Sequence, residues 1–193
     1  MSEHNRLVNF FFESGILQSL KRSGNIFLGS GDQNVASHIF RTAVIAYTMA
    51  YILNANKEKV LITALFHDIE ETRIGDLNYL QQMYVRSDDS RALADQLKGL
   101  PIEKEIGDLI KDYGKLETIE SQIVKDADTL ELILYLKEQY DKGNKQALNW
   151  INAAKKRLIT ELGKEIAVSI ENSNYYDWWY NIRDDWENGS KEW

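Results

Sequence analysis

Apolar residues recur at intervals of three and four along most of this chain, the spacing that gives a helix one buried face. Between Val35 and about Asn54 the inward positions are Ile39, Ala43, Ala46, Ala50 and Leu53. Lys57 to about Glu71 repeats the pattern through Val60, Leu61, Ala64, Leu65 and Phe66. The longest run, Thr118 to about Tyr140, carries Ile123, Val124, Ala127, Leu130, Leu132, Ile133 and Leu136. Shorter helices are predicted over about Glu3–Lys21 (with Gly15 as a flaw), Leu77–Val85, Asp89–Leu97, Ile102–Tyr113, Lys145–Leu162 and Gly163–Ile170. No convincing run alternates with a period of two, so no strand is predicted.

The interruptions have their own chemistry. Residues 23–34, SGNIFLGSGDQN, hold three glycines, two serines and two asparagines, a composition that reads as a loop. Ile74-Gly75-Asp76 breaks the second strong helix. Gly99-Leu100-Pro101 ends one helix and begins another, with Pro101 suited to a first-turn position. Pro101 is also the single proline in 193 residues. Proline breaks helix interiors, so its scarcity agrees with an all-helical chain. The expected architecture is one all-α domain, a helical bundle with its core over about residues 17–179. An aromatic tail over about residues 174–193 holds four of the five tryptophans.

Composition narrows the chemistry. The chain has no cysteine, which removes thiolate zinc sites, disulfides and cysteine nucleophiles together. Its net charge of −7 disfavours duplex nucleic acid as a partner. A small phosphate ester remains open, because a bound cation reverses the local sign. The N-terminal MSEHNRLVNFFFESG lacks a signal-peptide pattern, and no apolar stretch has membrane-spanning length. A cytoplasmic protein without membrane contact is expected.

There are three histidines: His4, His38 and His67. His4, near the terminus, reads as solvated. A lone histidine in an apolar helix is more often a satisfied core residue than a ligand. Two features alter that reading for His38 and His67. Asp68 directly follows His67, four residues after Ala64, and Asp128 falls within the apolar stripe between Val124 and Leu132. A buried ionised carboxylate costs several kcal/mol unless paired or bound to a metal. Lys125 or Arg41 could serve as partners through space. Convergence of the two imidazoles and two carboxylates would instead make a mixed nitrogen and oxygen site for a divalent ion. Neighbours in a helix point about 100° apart, so His67 and Asp68 can share an ion only if it lies between their directions.

The strings NVASHIFRTAVIA, LFHDIEETRIGDL and IVKDADTLE resemble the HD-domain superfamily, with its ordered H…HD…D ligands. They are most similar to its compact branch of bacterial 5'-deoxynucleotidases and related small proteins. That resemblance runs from about Leu17 to Trp179. It implies an HD-type helical fold and one divalent ion (Mn, Co, Fe, Ni or Mg) held by His38, His67, Asp68 and Asp128. It implies a nucleotide substrate and a homodimer. Glu71 would lie beside the metal-bound water, although a solvated face next to Glu70 and Arg73 is its alternative. Asp76 would contact a sugar hydroxyl, or cap the next helix. Lys125 would neutralise phosphate, or pair with Asp126 or Asp128.

Two positions depart from the branch. Ser37 stands where a glutamate usually precedes the first histidine. In the preceding loop, Asn25 and Ile26 or Phe27 stand where an arginine and a tryptophan are expected, with Arg22 nearby. The implied activity is hydrolysis of (deoxy)nucleoside 5'-monophosphates by a metal-activated water. The alternatives are a deoxynucleoside triphosphate triphosphohydrolase using the same ligands and a non-enzymatic nucleotide-binding protein. The few histidines argue against a binuclear phosphodiesterase, and Thr72 after Glu71 argues against a guanosine tetraphosphate hydrolase.

Overall fold

Side-chain caps set six of the helix starts, each satisfying a backbone N–H that the helix leaves open, worth about 1 kcal/mol. The computed structural model describes residues 3–180. Helix α1 is Glu3–Gly15, continued by a 3-10 turn, Ile16–Gln18. Then come α2 (Asn25–Leu28), α3 (Val35–Ile52), α4 (Lys57–Phe66), α5 (Glu71–Ile74), α6 (Tyr79–Gln82) and α7 (Asp89–Leu97). The remainder are α8 (Glu103–Lys115), α9 (Ile119–Asp141), α10 (Ala147–Lys155), α11 (Glu161–Glu171) and α12 (Asp177–Tyr180). Asn34 caps α3 by accepting from the Ser37 amide, and Asn56 caps α4 by accepting from the Lys59 amide. Thr118 and Ser121 form a capping box on α9.

Helix α9 is the axis of the molecule, packed against α3, α4, α8, α10 and α11. Small residues on α3, Ala43, Ala46 and Ala50, let it close on this axis in the main hydrophobic core with Ala127, Leu130 and Ile133. A second core gathers Phe10, Leu17, Val35, Ile39, Ile69, Leu93 and Leu97 around the other end of α3. His38 falls on the seam, between Val35 and Ile39 of the second core and Ala43 of the first. Among the described residues there is no strand beyond an isolated bridge between Lys21 and Asn34, and no helix is long and apolar enough to cross a membrane.

Several boundaries differ from the sequence expectation. The helix expected to run to Glu71 stops at Phe66; residues 67–70 form a turn and α5 begins afresh. Within the expected loop 23–34 lies α2, closed by Gly29 at φ 74. Pro101 stands ahead of the N-cap Ile102 rather than in the first turn of α8. The helix expected over 145–162 is two elements, α10 and the start of α11. The cause is Asp126, fully buried on α9, which accepts hydrogen bonds from the Ile159 and Thr160 amides and the Thr160 hydroxyl at 2.6–2.7 Å. This pins the chain and redirects it. Gly163 permits the approach, since a Cβ there would lie 2.5 Å from Asp126 Oδ2. Of the aromatic tail, residues 181–193 lie outside the described residues.

Candidate active site

His38 projects from α3 with no exposed surface. Its Nδ1 lies 2.5 Å from Glu131 Oε2. Glu131, itself buried on α9, is fixed by Gln33 at 2.6 Å and by two guanidinium nitrogens of Arg41 at 2.8 and 2.9 Å. His67 stands where α4 ends, and its Nδ1 lies 2.8 Å from the Ala64 carbonyl. Both rings therefore donate through Nδ1, which leaves each Nε2 as a bare lone pair. Both Nε2 atoms are buried without a hydrogen-bond partner. Such orphaned atoms cost about 1–3 kcal/mol each unless something else occupies them.

Carboxylates face these lone pairs. His38 Nε2 is 3.4 Å from Asp128 Oδ1 and 3.6 Å from Asp68 Oδ2, and His67 Nε2 is 3.3 Å from the same Asp68 oxygen. One ligand atom each of His38, His67 and Asp128 falls within 4.8 Å of the others. Donors bound about 2.1 Å from one ion lie roughly 3.0–3.4 Å apart, so His38, His67 and Asp128 are close enough to share a divalent cation, with Asp68 beside both imidazole nitrogens. His67 caps α4 at helical dihedrals, φ −62 and ψ −24, and Asp68 follows it in the turn, with one carboxylate oxygen 3.3 Å from His67 Nε2.

The charges respond to burial. Burial pushes the Asp128 carboxyl up, but the facing His38 ring and the charge of Lys125 hold it well below the usual range. For His38 burial opposes the charged form, and the carboxylates of Asp128 and Glu131 outweigh it, raising the ring to about 9, so a proton and a divalent cation compete for the same Nε2 lone pair. Glu71 is raised to about 9 by burial and by the charges of Asp68 and Asp76.

The site opens into a cleft of about 1100 Å³ lined by Arg22, Asp68, Glu71, Asp76 and Asp128, among others. Glu71 does not lie one turn beyond His67 on a shared helix. It heads α5, and its Oε2 is buried without a partner. Arg22 reaches both Asp68 at 3.4 Å and Asp76 at 3.5 Å. Asp76 accepts from the Ser23 amide, which ties the 23–34 loop to the site; the helix after it is capped by Asn78 instead. Lys125 pairs with Asp128 at 2.8 Å and is not among the residues lining the cleft. Sequence reasoning missed Glu131. Its signal was a carboxylate three residues after Asp128 on a buried stripe. Arg41, read as a partner for the buried aspartates, serves Glu131 and Glu138.

Comparison with known proteins places this arrangement. A family model described as HD domain matches residues 14–169. The 5'-deoxynucleotidase HDDC2 of Dictyostelium discoideum is 27% identical over 183 residues, covering 85% of this chain and 96% of its own. The structure of a conserved hypothetical protein from Pyrococcus furiosus superposes with a TM-score of 0.70 at 27% identity, covering 86% of this chain and 99% of that one. The HD phosphohydrolase DatZ of cyanophage S-2L, solved with dA and one catalytic Zn2+ ion, shares the fold at a TM-score of 0.52 and 17% identity, over 84% of this chain and 96% of its own. A family match over most of the chain, on a helical scaffold that gathers His38, His67, Asp68 and Asp128, establishes that the chain belongs to the HD-domain family.

Proposed function

We propose that this protein is a metal-dependent phosphohydrolase that removes phosphate from deoxynucleoside 5'-monophosphates, with His38, His67, Asp68 and Asp128 as the ligands of one divalent ion. The observation that carries the reading is the pair of buried imidazole nitrogens, unpartnered and facing two carboxylates. The names of the curated relatives support the substrate class. The cleft itself is rich in carboxylates, Asp68, Glu70, Glu71, Asp76, Asp89 and Asp128, against three arginines. Such a cleft repels a phosphate ester until a cation is present.

Bound there, the ion would act as a Lewis acid and would acidify a water toward the neutral range. The chain supplies the rest. Glu71, half-buried and facing the cleft, orients the attacking water, and relays its proton once a bound cation offsets the charges of Asp68 and Asp76 that raise its carboxyl. Water oxygen bonds to phosphorus as the bond to the 5'-oxygen breaks, and that oxygen leaves with a proton. Arg22 offers guanidinium donors to the phosphoryl oxygens from its place beside Asp68. Asp76, held by Ser23, accepts from a sugar hydroxyl. Lys125 acts on Asp128 by neutralising it, a role removed from the substrate. A homodimer is a finer reading that rests on the family resemblance.

A phosphate-release screen across deoxynucleoside mono-, di- and triphosphates with added Mn, Co, Ni, Zn and Mg tests this. Orthophosphate from monophosphates is the expected result. Tripolyphosphate from triphosphates would assign the same centre to a triphosphohydrolase, and no turnover with any ion would leave a nucleotide-binding protein.

A further inference from the structure

The cleft changes character along α9. Asp128 stands at its ionic end, with Leu132 one turn further and Leu136 two turns further, about 6 and 12 Å along the axis; all three line the cleft. Across from them Trp150 of α10 lines the same cavity, half-buried and packed on the main core. Its ring also abuts the 23–34 loop, since a Cβ built on Gly24 would lie 3.8 Å from it. Phe27 of α2 closes this end and is 47% exposed. The cavity is thus carboxylate-lined where the phosphoryl group reacts and apolar and aromatic where the remainder of a nucleotide must go.

We propose that this far end is the nucleobase subsite and that Trp150 is its stacking residue. The inference deepens the nucleotide reading above and rests on it. An indole face held by core packing accepts a flat heterocycle with little loss of side-chain freedom. The aromatic residue of the cleft's other stretch, Tyr79, is 85% exposed, so little packing holds its ring as a wall. Every base has a π face. The subsite therefore tolerates all bases and favours purines through their larger area.

The test compares the intact chain with Trp150→Leu, which keeps an apolar filler but removes the π face, and Trp150→Phe, which restores an aromatic ring. Substrates are dAMP, dTMP and 2-deoxyribose 5-phosphate, which lacks the base. Calorimetric binding of deoxyadenosine, which lacks the phosphate, gives a readout independent of turnover. Trp150→Leu is expected to raise KM for dAMP and weaken deoxyadenosine binding on the order of tenfold. It should affect dTMP less, leave kcat nearly unchanged and spare 2-deoxyribose 5-phosphate. Trp150→Phe should recover most of the loss. An equal loss on the baseless ester would reveal a structural role and overturn the subsite, as would unchanged KM and binding. If Tyr79→Ala produces the selective loss instead, the base lies on the other stretch. A wild-type chain that turns over no deoxynucleotide overturns the function, and the subsite with it.

Discussion

Glu131 shows how one side chain conditions another. It accepts a hydrogen bond from His38 Nδ1–H and so decides which nitrogen carries the lone pair toward Asp128. Groups that orient a metal-bound imidazole in this way are worth about 10- to 100-fold in metal affinity. Glu131→Gln keeps the shape but removes the charge that Arg41 and Gln33 hold in place. The expected outcome is a metal dissociation constant raised by about that factor, measured by equilibrium dialysis, with the helical circular dichroism unchanged. Unaltered affinity would show that His38 keeps its tautomer without help.

At the scale of elements, the crossing of α9 and α11 is the most sharply constrained feature. Gly163→Ala drives a methyl into Asp126, whose carboxylate holds two amides and a hydroxyl at the start of α11. Overpacking of this kind costs about 1–3 kcal/mol, strained charged hydrogen bonds add to it, and alanine's better helix propensity returns about 1 kcal/mol. We expect a net loss of ~2 kcal/mol, a fall of roughly 4–8 °C in the thermal midpoint, while the substrate KM stays the same. The long helices α3 and α9 were legible in the sequence, because a three-four apolar repeat sustained over several turns has one structural solution. The stop at Phe66 was not legible. Apolar residues run up to it with neither glycine nor proline, and the boundary comes from tertiary packing. The division between α10 and α11 was hidden for the same reason, since Asp126 acts on it from more than thirty residues away. The histidines and aspartates were found because charged or titratable groups on apolar stripes stand out. Glu131 had the same mark, but its partner lies on α3, beyond any local pattern.

On the scale of the whole molecule, the proposed ligands come from α3, the end of α4 and α9. An ion bound by all of them stabilises only the folded chain. At a hundredfold excess over its dissociation constant this amounts to about 2.7 kcal/mol, or roughly 5–10 °C in thermal midpoint. A chelator should therefore lower the midpoint of the metal-loaded protein by that amount in differential scanning calorimetry. The Asp128→Ala chain should retain no metal and show no chelator response; a response of wild-type size would remove Asp128 from the ligand set. The position of the seam gives this a wider meaning. The three helices that carry the proposed ligands already pack together in the main core, so a cation would add a polar tie at the edge of an apolar contact. Such a centre would work as a clasp, in which the bonds proposed to activate water would also hold α3, α4 and α9 in register around the cleft.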